Sequence, residues 1–248
     1  MARWPHMLEQ ILVNIQDLTR KGQKSLVVFD LDSTLFDVSP RLERILLDFA
    51  AAPLNQKLFP EQVALLKNIK TLRSDWGIKG ALERAGLDGH HADFQEAIKD
   101  YWQKSFFSNH YLQFDSPYEG ALEFVASVES VGAEIAYLTG RDVERMGVGS
   151  EEIMRRWGFP LNEKALLVLK PHRSMDDAQF KTDWFIEADK KGYSKIYFFE
   201  NEPVNLHHLA QFCPHVEMIF FESTHAGKAE PPEALPRIMN FLLNQKES

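Results

Sequence analysis

Leu26-Val27-Val28-Phe29-Asp30-Leu31-Asp32-Ser33-Thr34-Leu35 is the stretch whose reading decides the fold. It opens as an unbroken apolar run with β-branched and aromatic residues, and it ends in two carboxylates and two hydroxyl side chains. A run this short, bounded by charge, reads as a strand buried on both faces. The polar residues then lie just past its carboxyl end, the edge of an open parallel sheet where ligands bind. Asp30 and Asp32 are two positions apart. In a regular strand they would face opposite sides, but where the strand ends the chain can turn and offer both to one ligand. On this reading Asp30 is a nucleophile and Asp32 its acid/base partner.

Four further strands follow the same pattern. Ile135-Ala136-Tyr137-Leu138 runs into Thr139-Gly140-Arg141-Asp142, and 165–169 runs into Lys170. Residues 195–199 lead into Glu200-Asn201-Glu202-Pro203, and 216–221 form a fifth strand. Helices are predicted over 118–131, over a segment capped by Ser150 and stopping at Gly158, over 176–191 and over 206–212, with a closing helix over 236–244. Upstream, Leu8, Ile11, Leu12, Ile15 and Leu18 recur at helical spacing until Lys21-Gly22-Gln23-Lys24 ends the pattern. This reads as an amphipathic helix packed on the core, not as a secretory signal.

Strands alternating with helices predict an α/β fold: a Rossmann-like parallel sheet core flanked by helices. Right-handed crossovers put the strand ends along one edge, so Asp30, Thr139, Lys170 and Glu200 are expected to converge. Residues 37–116 carry no strand signal. Leu42, Ile45, Leu46 and Phe49, then Val63, Leu66 and Ile69, then 78–85, then Phe94, Ile98 and Tyr101 all have helical spacing. The expected organisation is a catalytic core from 1–36 and 117–248 with an all-helical cap, 37–116, inserted after the first strand. Gly147-Val148-Gly149 is not a dinucleotide fingerprint, because Glu152 stands where the third glycine belongs.

Composition narrows the function. Hydrophobic residues make up 44% of the 248, enough for a packed core. A net charge of -8, from 28 basic and 36 acidic residues, argues against a nucleic-acid or anionic-membrane surface. The lone Cys213 excludes an intramolecular disulfide and argues against a cysteine-based zinc site. No run approaches the roughly 20 apolar residues of a membrane span. A cytoplasmic protein is expected. His207, His208 and His225 read as surface or packing residues, and Arg141-Asp142 as a local ion pair ordering its loop. Trp76, Tyr101, Trp102, Phe106 and Phe107 are candidates either for a cleft wall or for the core of the helical section.

A carboxylate such as Asp30 can attack a phosphoryl group and form an aspartyl-phosphate. The substrate's own charge repels it, so a divalent cation and a lysine are expected nearby. A second carboxyl group can protonate the leaving oxygen and then activate water.

Asp30-Leu31-Asp32-Ser33-Thr34 resembles the first motif, Asp-x-Asp-x-Thr, of the haloacid dehalogenase superfamily in its phosphatase branch. Thr139-Gly140-Arg141 resembles the second motif, in which a hydroxyl and the next backbone N–H hold phosphoryl oxygens. The resemblance implies Asp30 as nucleophile and Asp32 as general acid/base, with the Asp32 backbone carbonyl on Mg²⁺. It also implies an insertion of the helical cap type. The third motif is a lysine; Lys170 and Lys181 compete, and the spacer between strand and helix favours Lys181. The fourth motif departs from the usual acidic pair: this chain has Glu200-Asn201-Glu202, with Asn205 further on. Asn201 falls where the metal-binding Asp is usual, so Glu200 or Glu202 is left to supply the charge. The implied activity is Mg²⁺-dependent hydrolysis of a small phosphorylated metabolite. A phosphotransferase or mutase, and a catalytically weak binding protein of the same fold, remain as alternatives.

Overall fold

The computed structural model describes residues 6–87, 89 and 91–243. In chain order the elements are α1 (Met7–Arg20), β1 (Ser25–Phe29), β2 (Phe36–Asp37), α2 (Ser39–Ala51), α3 (Pro53–Leu58), α4 (Pro60–Leu66), α5 (Lys79–Arg84), α6 (Ala92–Phe106), α7 (Asn109–Leu112), β3 (Ser116–Pro117), α8 (Ala121–Ser130), β4 (Glu134–Asp142), α9 (Val143–Trp157), β5 (Ala165–Lys170), α10 (Asp177–Asp189), β6 (Lys195–Glu200), α11 (Pro203–Phe212), β7 (Glu217–Phe221) and β8 (Arg237–Ile238).

Six strands form one sheet in the order β5-β4-β1-β6-β7-β8, every neighbouring pair parallel. All five residues of β1 are buried, as an apolar run in a sheet covered on both faces requires. Its side chains alternate. Val27 and Phe29 join a cluster with Ile11 and Ile15 of α1, Phe124 and Val128 of α8 and Ile153 of α9. Leu26 and Val28 join another with Phe185 of α10 and Leu206 and Leu209 of α11. Phe29 stacks on Phe199 at 5.0 Å between ring centres, tying β1 to β6. Cys213 is buried and free. No helix among the described residues is long and apolar enough to cross a membrane.

Between β2 and β3 the chain is helical, α2 to α7, and it packs around its own apolar cluster of Leu42, Leu46, Phe49, Leu66, Phe94 and Ile98 among others. β2 and β3 pair antiparallel, Phe36 with Pro117 and Asp37 with Ser116, so the chain leaves the sheet layer and returns to it at one place.

Two expectations fail. The closing helix over 236–244 does not form among the described residues; Asn244 lies outside them. Instead β8 extends the sheet edge along β7, and Phe241 is fully buried, stacked on Phe221 at 5.1 Å. Leu235, Ile238 and Phe241 have helical spacing, but edge pairing and an aromatic pocket override it. The helix expected to be capped by Ser150 starts eight residues earlier, with Asp142 as its cap. The carboxylate of Asp142 caps it by accepting the Arg145 N–H at 2.9 Å, and Ser150 is buried mid-helix. Gly149 does not break α9. It admits α7, for a Cβ there would stand 2.6 Å from the Asn109 carbonyl oxygen.

Candidate active site

The site begins at the end of β1. Asp30 N–H still donates to the Phe199 carbonyl at 3.0 Å, and the ladder then stops. Ser33 takes φ 62°, in the left-handed region that a residue with a Cβ seldom occupies. Its N–H donates to the Phe36 carbonyl at 2.8 Å, and its carbonyl accepts from Ser223 Oγ at 2.5 Å. This turn lets Asp30 and Asp32 line one cleft despite their spacing.

The cleft has a volume of about 760 Å³ and gathers Asp30, Asp32, Thr139, Gly140, Lys181, Glu200, Asn201 and Glu202. Lys170 does not take part. At the end of β5 its Nζ donates to the Met175 carbonyl at 3.0 Å and pairs with Asp177. Lys181, on α10, is the lysine that reaches the carboxylates: its Nζ lies 2.6 Å from Asp30 Oδ1 and 2.6 Å from Glu200 Oε2. Of the two lysines that the sequence offered, Lys181 is the one in contact with Asp30 and Glu200.

Burial, reinforced by the charge of Glu200, pushes the Asp30 carboxyl up to about 7 against the pull of Lys181. Burial works against the Lys181 ammonium, but Asp30 and Glu200 outweigh it and hold the lysine above its usual range.

Asp32 sits in the opposite environment. Arg141 Nη2 and Nε donate to its Oδ1 and Oδ2 at 2.6 and 3.2 Å, and Arg41 Nη2 donates to Oδ1 at 2.6 Å. Desolvation opposes ionisation, but the two guanidinium groups outweigh it and hold the carboxyl well below the usual carboxylate range. Both arginines are fully buried and share Asp115, with Arg41 Nε at 2.7 Å from Oδ1 and Arg141 Nη2 at 2.8 Å from Oδ2. The expected Arg141–Asp142 pair is therefore not found. Asp142 pairs with Arg145 at 2.6 Å, while Arg141 turns to Asp32. Arg41 and Asp115 escaped the sequence reading. One signal existed: Arg41 stands four residues before Ile45, on the buried stripe of α2, where a charge requires a buried partner.

Thr139 is buried at the end of the apolar run of β4, and its Oγ1 accepts the Arg141 N–H at 3.2 Å. Gly140 follows, closely covered by the Asp177 carboxylate: a Cβ would stand 2.6 Å from Asp177 Oδ2, which would have to shift. In the fourth-motif region, Glu200 Oε1 accepts the N–H groups of Asn201 and Glu202, both at 3.0 Å. Its Oε2 accepts from Lys181 and from Asn205 Nδ2, the latter at 3.0 Å. With both oxygens committed, Glu200 clamps the lysine and the loop and is not an open metal ligand. Asn201 Oδ1 accepts from Thr34 Oγ1 at 3.0 Å, and its Nδ2 donates to the Thr224 carbonyl at 2.7 Å. Glu202 Oε2 accepts the Ala226 N–H at 2.9 Å, while its Oε1 is buried without a hydrogen-bond partner.

Among the described residues no three His, Cys, Asp or Glu side chains group as a metal cluster. His208 Nδ1 lies 2.8 Å from Thr182 Oγ1, and His207 Nε2 2.8 Å from the Glu230 carbonyl. What the cleft offers is two carboxylates with spare capacity, Asp30 and Glu202, together with amide and backbone oxygens. That set fits a hard cation that keeps much of its water, and it does not fit zinc.

No family model and no curated protein matches the sequence. Solved structures do resemble the fold. A haloacid dehalogenase superfamily hydrolase of subfamily IA from Geobacter sulfurreducens aligns over 88% of this chain and 93% of its own, with a TM-score of 0.51 and 14% identity. A putative phosphatase from Clostridium difficile aligns over 81% and 86%, with a TM-score of 0.51 and 14% identity. A haloacid dehalogenase-like protein from Streptococcus pneumoniae aligns over 80% and 84%, with a TM-score of 0.50 and 9% identity. The chain has the haloacid dehalogenase-like fold. At such identities the likeness establishes the fold alone; the chemistry has to be argued from the cleft.

Proposed function

We propose that the protein is a phosphatase of small phosphomonoesters that works through an aspartyl-phosphate, with residues 37–116 acting as a cap over the cleft. The reading is carried by one observation: Lys181 bridges Asp30 and Glu200 at 2.6 Å each, on the floor of a cleft that also holds Thr139 and Gly140. An Asp30 oxygen bonds to phosphorus as the ester P–O bond breaks, and the leaving oxygen takes a proton. Water then adds to phosphorus, inorganic phosphate leaves and Asp30 is restored. Lys181 offsets charge on the phosphoryl oxygens, and Thr139 Oγ with the Gly140 N–H holds them.

Asp32 serves the proton steps. Arg41 and Arg141 hold it ionised but weaken it as a base, so it takes a proton from water once it loosens from them. To give one to the leaving group it must likewise loosen from Arg41, which lies on α2.

Mg²⁺ would be held by Asp30, the Asp32 carbonyl, Asn201 and Glu202, and would supply charge neutralisation at the phosphoryl group. A second reading, a weakly catalytic binding protein, draws on Asn201, since a neutral amide is a weaker ligand for a hard cation.

Hydrolysis of a generic aryl phosphate with Mg²⁺, and then with EDTA, tests the proposal. Wild-type protein should turn it over only with the metal, and Asp30→Asn should abolish turnover. Equal rates for the two proteins would refute the reading. Metal binding without turnover across sugar, nucleotide and amino-acid phosphates would favour the second.

A further inference from the structure

The helical side of the cleft carries a wall with no part in the chemistry proposed above. Trp76, Trp102, Phe106 and Phe107 all line it, whereas Tyr101 turns away, its hydroxyl 3.0 Å from that of Tyr111. Trp102, Phe106 and Phe107 form a contiguous run, and Trp76 adjoins it through its chain neighbour Gly77. Gly77, at φ 68°, lies so close to Trp102 that a Cβ would stand 3.4 Å from the indole. Trp102 and Phe106 lie 6.0 Å apart between ring centres, and Phe106 and Phe107 5.1 Å. Arg41 and Arg145 brace the last two, their guanidinium carbons 4.4 and 4.9 Å from the ring centres.

These rings are not simply the core of the helical section. Trp76 is 55% exposed and Phe107 37%, although each is a large apolar side chain. Exposed aromatic surface inside a concave site points to a ligand with a flat apolar face. The wall also has polar edges. Gln103 and Asp75 bring polar side chains to the same cleft. Flat rings beside hydrogen-bonding edges match a nucleobase better than a hydrocarbon. A cleft of about 760 Å³ far exceeds a phosphate group and falls in the usual range for enclosing a small organic ligand.

We infer that the leaving group is a nucleoside: the substrate is a nucleoside monophosphate whose base lies on the Trp76–Trp102–Phe106–Phe107 wall while its phosphate lies at Asp30 and Lys181. This rests on the phosphatase reading for the phosphate end; the wall itself is independent of it.

The test compares adenosine 5′-monophosphate with ribose 5-phosphate, the same phosphate without a base. Wild-type kcat/KM should favour the nucleotide by about tenfold or more. In Trp76→Ala and in Phe107→Ala the ratio of the two kcat/KM values should fall toward one. The ratio cancels any change in the folded fraction. Equal wild-type values, or a ratio that both variants leave unmoved, would overturn the inference. Phenyl phosphate hydrolysed as well as the nucleotide would overturn the assignment of a nucleoside, since any flat ring would then suffice. If no ester is turned over, calorimetric titration of the same two compounds decides. Preferential nucleotide binding that weakens in Trp76→Ala keeps the wall and removes the phosphatase reading, whereas equal binding removes both.

Discussion

The two sides of the cleft are built by different rules. The floor is made of strand ends, and its charged groups are buried or half-buried and held by named partners: Lys181 by two carboxylates, Asp32 by two arginines, Glu200 by four donors. The wall comes from the helical section, is aromatic, and keeps part of its surface in water. Bond-making at phosphorus needs groups fixed to within a fraction of an ångström, which a packed parallel sheet supplies. Recognition of a flat ring needs area and tolerates looser placement. A substitution on the floor should therefore cost turnover for every substrate, and one on the wall should change only the choice among them.

The largest effect expected is at Lys181. Lys181→Met removes the charge proposed to face the phosphoryl group and leaves Asp30 and Glu200 without their shared cation. Turnover should drop by about 10²–10³, and chemical denaturation should show a loss of roughly 3–5 kcal/mol. Lys170→Met should leave turnover within about a factor of three, because its partners are Met175 and Asp177 and not Asp30 or Glu200. Matching losses in the two variants, measured with one aryl phosphate, would erase the distinction drawn between them.

A smaller effect is expected where the two sides meet. In Gly149→Ala the new Cβ would collide with the backbone of Asn109, which must shift. A cost of about 1–3 kcal/mol is expected, along with a raised KM, because α7 is displaced from α9. An unchanged melting temperature would show that the seam between floor and wall is soft.

The smallest effect concerns the wall's own support. Asp75 accepts the Leu72 N–H at 2.8 Å and pairs with Arg84 at 2.5 Å. Burial opposes its ionisation, but these partners outweigh it and hold its carboxyl below the ordinary aspartate value of 3.8. A lowered carboxyl pKa adds stability above the unfolded value, and that stability is lost as pH falls through the folded one. Asp75→Asn should cost roughly 1 kcal/mol at neutral pH. The gap from wild type should close as pH drops below 3.8. A gap that is constant with pH would assign the effect to packing.

Much of the floor was legible because strand signals and charged ends sit together in the chain. The apolar run 26–29 followed by Asp30 and Asp32, and the run 135–138 followed by Thr139 and Gly140, placed four cleft residues without coordinates. The partners of Asp32 were not legible. Arg41 and Asp115 are 74 residues apart, and Arg141 has an acidic neighbour that looked sufficient. The wall was half legible: its aromatics were visible, but helical spacing alone does not separate a cleft-facing ring from a packed one, as Tyr101 shows. At the carboxyl end, spacing misled outright, since an edge strand and the Phe241 pocket won over helical periodicity.

The sequence by itself determined the alternation of strands and helices, and with it a parallel sheet whose strand ends meet, because apolar periodicity and chain handedness are local properties. Only the tertiary structure decided which lysine faces Asp30, which charges hold Asp32, and which rings look into the cleft. Those choices depend on side chains that approach through space from distant segments, and their energies arise on burial, where an unpaired charge is too costly to leave and each group must find the partner the packing allows.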